Sequence, residues 1–236
     1  MTGKKDSVIG GKDGSGRERE VAASELGANV WAAGRTEAQI EKARAVSNGK
    51  CEVRQADTHN AEELEAIFKE AGTIDHLVSA AIGGERTIKP FIEQTEEQFK
   101  AAYGKLWGYA KVVRLGVPYV AQNGSVTLVS GSPARKITPS TSALSCVGGS
   151  VENLVRCLAV ELAPIRVNTV SPGTIDTAMF DQFGDERGER LAAMTSGHLI
   201  ERGGTSEEVA EGLIFAMNNR FVTGTTVDVD GGRILS

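Results

Sequence analysis

The chain has 236 residues, of which 40% are hydrophobic and 24% charged, which is the composition of a folded globular protein. An α/β domain of this length commonly stays undivided, so we expect one domain spanning 1–236. The net charge of −5 argues against the clustered basic surface that nucleic acids and anionic membranes require.

Three cysteines, Cys51, Cys146 and Cys157, form no CxxC pair and no disulfide-framework spacing. This usage favours a reducing compartment, and we expect a cytoplasmic location. The first apolar run is too short for a signal peptide, and no stretch approaches the roughly 20 apolar residues of a membrane helix. We therefore predict a small-molecule ligand rather than a membrane or nucleic-acid partner, and no metal site.

Short apolar or β-branched runs predict seven strands, and longer stretches with 3.6-residue periodicity predict helices between them. The predicted strands span 7–9, 29–33, 52–55, 76–81, 125–130, 166–171 and 225–230. The predicted helices span 37–46, 60–70, 96–120, 151–162 and 206–217. Because parallel strands need crossover connections, this alternation predicts a doubly wound, Rossmann-like α/β fold with helices on both faces of a parallel seven-stranded sheet.

A glycine-rich segment over 10–16 follows the first predicted strand and leads into a helix. Gly10, Gly14 and Gly16 give the spacing GxxxGxG, and Lys12 and Ser15 lie in the same loop. Glycines allow close backbone approach, while the N–H groups and dipole of the following helix attract a pyrophosphate. The segment therefore predicts a dinucleotide site.

Arg35 and Thr36 follow the second predicted strand, where an NAD-selective protein places an acidic residue on the ribose hydroxyls. Arginine suits a 2′-phosphate instead, and Lys12 could add a second cation. We predict NADP(H) as the cofactor. The alternative is that both side chains are solvated surface charges.

Motifs along nearly the whole chain resemble those of the short-chain dehydrogenase/reductase family, in the same order. These are the glycine loop at 10–16, Asp57, LVSAA at 77–81, RVNTVSPG at 166–173, FVTG at 221–224 and VDVDGG at 227–232. The resemblance implies cofactor contacts for Asp57 and Ala81, and for Pro172, Gly173 and Thr177 beside the nicotinamide. It also implies a variable substrate lid at 174–204 and a homodimer or homotetramer.

The chain departs from that family at its catalytic positions. Aligning the predicted helix 151–162 with the family helix places Leu144 at the usual tyrosine and Gly148 at the usual lysine. Lys105 replaces an asparagine, and only the serine is retained, as Ser130 or Ser132. Neither leucine nor glycine can transfer a proton.

One departure could compensate for another, because the resemblance places Lys105 and Gly148 against the same space beneath the ribose. We predict that Lys105 fills this room, the alternative being a side chain that extends to solvent. A protonated imine can accept hydride without a tyrosine-like acid. Asp176 is then the first candidate to stabilise a substrate cation, the alternative being a carboxylate that only supports its turn.

These observations predict an NADPH-dependent reductase of an imine, an iminium or an activated carbonyl of a small organic molecule. The missing tyrosine and lysine also resemble fungal reductase/Diels-Alderases of indole alkaloid biosynthesis, which would add a cyclisation. A non-redox cyclase or isomerase that uses NADP(H) to shape its pocket is an alternative, as is a catalytically inactive NADP(H) sensor. Of the remaining reactive side chains, Cys146 is expected to be buried and His198 to lie on the surface.

Overall fold

The computed structural model describes residues 5–9, 29–47, 51–81 and 86–236. Seven strands in these ranges form one sheet: β1 Lys5–Ile9, β2 Asn29–Gly34, β3 Cys51–Gln55, β4 Ile74–Ser79, β5 Val120–Val129, β6 Arg166–Pro172 and β7 Thr226–Val229. Their order is β3-β2-β1-β4-β5-β6-β7, and every pairing is parallel. The order reverses between β1 and β4, which is where such sheets open a ligand crevice.

Helices connect the strands and cover both faces of the sheet. They are α1 Glu37–Ser47, α2 Ala61–Ala71, α3 Glu96–Ala102, α4 Gly104–Gly116, α5 Ser142–Glu161, α6 Arg187–Thr195 and α7 Ser206–Asn218. The architecture confirms the predicted doubly wound, single-domain α/β fold.

Alternate strand residues feed two separate cores. On one face, Leu77 of β4 packs with Phe68 of α2 and Val151 of α5, all of them fully buried. On the other face, the next residue of β4, Val78, belongs to a cluster with Leu213 of α7. Both faces of the central strands are therefore apolar, as expected for a parallel sheet covered on both sides.

The helix predicted over 96–120 is divided in two by the structure. It is interrupted at Tyr103, between α3 and α4, and it ends at Gly116. Pro118 follows in a short 3₁₀ turn, and β5 begins at Val120. The prediction was wrong at its C-terminal end because Pro118 lacks a backbone N–H and its ring disfavours the interior of an α-helix.

α5 begins nine residues earlier than the predicted helix 151–162, at Ser142, and runs through Gly148 and Gly149. By length and composition it could cross a membrane, contrary to the expectation that no stretch of the chain could. It packs against β6 and against the turn 132–134, and Glu152 within it is buried. These contacts are those of a core helix.

Candidate active site

A cavity of about 230 Å³ opens at the carboxyl ends of β4, β5 and β6. The residues that line it from these strand ends are Ala80, Ser130, Gly131, Pro172 and Gly173. One side is formed by α4 and α5, and the opposite side by the segment 174–194 and the C-terminal turn. The cavity thus occupies the edge at which sheets of this topology bind ligands.

Leu144 and Gly148 lie one helical turn apart on α5, and both line the cavity. A Cβ atom added to Gly148 would lie 2.8 Å from the Cβ of Ala134 and 3.2 Å from its Cα. The turn 132–134 therefore occupies the space that a side chain at position 148 would need. Glycine at this position is therefore a packing requirement.

The side chain of Lys105 reaches the cavity from α4. Its ammonium donates a hydrogen bond to the backbone oxygen of Ser130 at 2.9 Å and lies 5.6 Å from the ring centroid of Tyr109. Burial, and secondarily the charge of Arg86, lowers the pKa of Lys105 to about 7. Lys105 and Gly148 do border the same space, and the ammonium points inwards rather than to solvent.

Ser130 and Ser132, which the sequence left as alternatives, differ in their surroundings. Ser130 lines the cavity, whereas Ser132 does not. The Ser130 hydroxyl donates to the carboxylate of Glu152 at 3.1 Å. The Ser132 hydroxyl is buried and has no hydrogen-bond partner among the described residues. Ser130 is therefore the serine that can reach a ligand.

Glu152 is a buried carboxylate that sequence reasoning missed. It is 4% exposed and accepts from Arg135 Nε at 3.3 Å as well as from Ser130. Arg135 also pairs with Asp228 of β7. Its spacing in the sequence could have indicated Glu152, because a residue four positions after Gly148 lies on the same face of a helix.

Asp176 does not line the cavity, although its neighbours Ile175 and Thr177 do. Its carboxylate accepts a hydrogen bond from Arg187 Nη2 at 2.5 Å, and its backbone N–H donates to Gly204. These contacts favour the alternative interpretation, in which Asp176 supports its turn and is not directed at the substrate.

The predicted cofactor residues divide into three groups. Pro172, Gly173 and Thr177 line the cavity, together with Ala80 rather than the predicted Ala81. Arg35, Thr36 and Asp57 follow β2 and β3, towards the other half of the carboxyl edge. The loop predictions Gly10, Lys12, Gly14, Ser15 and Gly16 lie outside the described residues.

Gly173 has a steric reason to be glycine. A Cβ atom there would lie 2.7 Å from the Cα of Asp230 and 2.8 Å from its backbone oxygen. The backbone N–H of Gly173 donates to Val229, so β6 and the segment after β7 meet closely at the cavity. Only a residue without a side chain permits this approach.

Sequence reasoning also missed two arginines that line the cavity. Arg86 follows β4 and donates to the sulfur of Met179 at 3.3 Å. Arg233 lies in the C-terminal turn and donates to the hydroxyl of Thr174 at 3.2 Å. Neither arginine belongs to a sequence motif that indicates a site. Each reaches the cavity only because segments distant in the chain pack together.

Two expectations about other reactive side chains were wrong. Cys146 is exposed. His198 is only 7% exposed, and burial, together with the charge of Arg233, lowers its pKa.

The chain resembles known proteins over nearly its full length. The family profile described as enoyl-(acyl carrier protein) reductase matches residues 12–233. Short-chain dehydrogenase/reductase ATR9 of Stachybotrys chlorohalonatus is 30% identical over 258 residues, which cover 100% of this chain and 98% of that protein.

Two solved structures extend the comparison to three dimensions. The MalC reductase/Diels-Alderase of Malbranchea aurantiaca superposes with a TM-score of 0.91 at 28% identity, covering 100% of this chain and 98% of that one. A small-chain dehydrogenase in complex with NADPH superposes with a TM-score of 0.83 at 27% identity, covering 99% of each chain.

Proposed function

Since the chain belongs to the short-chain dehydrogenase/reductase family, we propose that it is an NADPH-dependent reductase of an activated carbonyl, with Lys105 as its acid. The observation that carries the proposal is the Lys105 ammonium, which lies in the cavity beside Leu144 and Gly148. The open cavity of about 230 Å³ also favours an enzyme over an inactive sensor, because in a sensor we expect side chains to fill the pocket.

The residues at the carboxyl edge fit NADP(H). Arg35, exposed at the end of β2, suits the 2′-phosphate, while Pro172, Gly173 and Thr177 border the space for the nicotinamide. The NADPH complex of a similar structure supports the same choice. Bound NADPH supplies a hydride from C4 of its nicotinamide. We expect a titration to give tighter binding of NADPH than of NADH, and the opposite order would contradict the choice of cofactor.

Lys105 can supply the proton that the missing phenol supplies elsewhere in the family. A lysine has three N–H donors, and one of them bonds the Ser130 backbone oxygen, which leaves two for a substrate. As hydride reaches the carbonyl carbon, the oxygen takes the electron pair of the C=O bond and a proton from Nζ, which yields an alcohol. The neutral amine then regains a proton from solvent. An acid with a pKa of about 7 is well matched to this step near neutral pH.

The cavity favours a carbonyl over the iminium that the sequence also allowed. An iminium needs a nearby anion, but no carboxylate lines the cavity in the described part of the chain. Asp176, the predicted partner, is paired with Arg187. A reacting carbonyl develops negative charge on its oxygen, which the Lys105 ammonium stabilises.

The proposal is tested by following NADPH oxidation with 1,2-dicarbonyls, simple ketones and cyclic imines. With an accepted substrate, Lys105→Met is expected to lower kcat by roughly 10²- to 10⁴-fold, the usual contribution of a general acid. Lys105→Arg should not restore it, because guanidinium does not release a proton near neutral pH. Lys100→Met serves as a control, since Lys100 is exposed and forms only an i,i+4 ion pair on α3. Undiminished turnover by Lys105→Met would contradict the assigned role.

A second candidate is cyclisation in the same pocket, favoured by the similarity to MalC, which is described as a reductase/Diels-Alderase. It predicts conversion of a reactive diene without a change in NADPH absorbance, and equal rates with NADP⁺. Product formation that is strictly proportional to NADPH consumption would exclude it.

A further inference from the structure

All the ionisable side chains that line the cavity, among the residues described, are bases. They are Arg86 after β4, Lys105 on α4 and Arg233 in the C-terminal turn. The whole chain carries a net charge of −5, so this cationic lining is a local feature. Such a concentration of one charge in a cleft attracts ligands of the opposite charge.

Among the described residues, no nearby carboxylate forms an ion pair with these three cations. Asp176 pairs with Arg187, and Glu152 pairs with Arg135. The two oxygens of Asp230 accept backbone N–H groups of its own turn, at 2.9 and 3.0 Å. Asp176 and Asp230 are directed to partners outside the lining, and Glu152 is paired with Arg135 while it accepts from the hydroxyl of Ser130.

Arg233 is held in place but retains unused hydrogen-bonding capacity. One of its N–H groups donates to Thr174, and no ion pair joins it to a carboxylate among the described residues. Burial lowers the pKa of Arg233, and the charge of Asp230 offsets part of this effect. A guanidinium has five N–H donors in a planar fork, so an incoming carboxylate could bind it with two hydrogen bonds.

Arg86 adds to the positive potential. Its described hydrogen bond is to the thioether of Met179, which is a weak acceptor. Its charge also disfavours the protonated form of Lys105, so these two cations repel each other across the cavity. An anionic ligand would relieve this repulsion.

We propose that the substrate carries a carboxylate, which Arg233 binds while Lys105 faces the reacting carbonyl. The substrate class is then an oxo acid. The reacting carbonyl rests on the reductase function proposed above, whereas the anion site can be tested without turnover. Arginine is suited to this task because its fork matches a carboxylate geometrically.

The test is a binding comparison on the protein saturated with NADP⁺. Mandelate and mandelamide have nearly the same size and differ in charge, so their affinities by isothermal titration report the anion site. Mandelate is expected to bind at least about tenfold more tightly, as a charge-assisted hydrogen-bonded pair provides. Equal affinities would overturn the proposal.

Variants identify the residue responsible. Arg233→Gln is expected to abolish the preference for mandelate while leaving the affinities for mandelamide and NADP⁺ unchanged. Arg220→Gln is the matched control, because Arg220 is exposed and does not line the cavity. A variant Arg233→Gln that loses affinity for NADP⁺ but keeps the preference for mandelate would overturn the assignment.

Turnover separates this inference from the proposed function. Phenylglyoxylate should be reduced with a higher kcat/KM than its methyl ester. If neither compound is reduced but mandelate is preferred, the anion site stands and the reductase proposal fails for these substrates. If both compounds are reduced with equal kcat/KM, and mandelate and mandelamide bind with equal affinity, the reductase proposal is supported and the anion site is contradicted.

Discussion

The protonation of Lys105 is the residue-scale property on which the proposed chemistry depends. Its folded pKa of about 7 reflects burial first and the charge of Arg86 second. Because the group acts as an acid, the active form is the protonated one, which predominates below that pKa and is lost above it.

We therefore expect kcat/KM to be constant on the acidic side of pH 7 and to fall about tenfold per pH unit on the alkaline side. The measurement is the rate of NADPH oxidation at substrate concentrations well below KM. Lys105→Arg should show a low rate with no fall in this range, because guanidinium stays protonated. A wild-type profile that stays level to pH 9 would exclude Lys105 as the acid.

Gly148 and Gly149 are adjacent on α5 but have different surroundings. A Cβ atom at Gly148 would meet Ala134 at 2.8 Å, whereas nothing lies within 4 Å of one at Gly149. Gly149→Ala is expected to stabilise the protein by about 0.5–1 kcal/mol through helix propensity. Gly148→Ala should destabilise it by about 1–3 kcal/mol through overpacking.

Urea unfolding of the two variants measures this difference. The same contact predicts that restoring the family residues, as Leu144→Tyr with Gly148→Lys, does not restore the usual mechanism, since Ala134 lies where the lysine stem would begin. Equal free energies of unfolding for Gly148→Ala and Gly149→Ala would contradict the packing argument.

At the scale of elements, one buried carboxylate joins three parts of the fold. Glu152 of α5 accepts from Ser130 after β5 and from Arg135, and Arg135 reaches Asp228 of β7. These contacts fix the turn that forms one side of the cavity. The cavity wall therefore depends on an ion pair within the domain as well as on apolar packing.

Arg135→Met is expected to lower the free energy of unfolding by about 2 kcal/mol or more, because it leaves Glu152 buried without its cation. Arg190→Met is the control. Its i,i+4 pair with Glu186 is exposed, and such pairs contribute less than about 1 kcal/mol. Chemical denaturation measures the free energy of unfolding of both variants. Equal decreases would show that the buried ion pair stabilises the protein no more than the exposed pair does.

At the scale of the whole molecule, the proposed homodimer or homotetramer stays a prediction. Two helices carry large exposed apolar side chains: Trp107 on α4 is 68% exposed and Val160 on α5 is 81% exposed. Their neighbours Val151 and Val155 on α5 are buried in the core, so the apolar stripe of that helix is only partly used within the domain. Exposed patches of this kind are typical of interaction sites.

Trp107→Glu is expected to shift the protein to a lower oligomeric state, because a charge would replace apolar area at the proposed interface. Sedimentation velocity measures the change. Lys100→Glu on α3 controls for added negative charge at an exposed position. A wild-type protein that sediments as a monomer would contradict the prediction.

Local patterns in the sequence were enough to predict the alternation of strands and helices, the parallel sheet and the side of the sheet where ligands bind. Each of these properties depends on periodicity or on neighbours along the chain. Leu144 and Gly148 were placed by the family resemblance, outside the predicted helix 151–162, and the structure includes both in α5. The start of α5 was predicted less well, because the helix includes Gly148 and Gly149, and glycine has a low helix propensity.

The electrostatics of the cavity were decided only by the tertiary structure. Arg86 and Arg233 lie far apart in the chain, and Glu152 and Asp176 are paired with Arg135 and Arg187, which do not line the cavity. Which way a charged side chain points depends on atoms contributed by distant segments, and no spacing in the sequence records them. The sequence by itself therefore determined the fold, while packing determined which charged side chains surround the cavity.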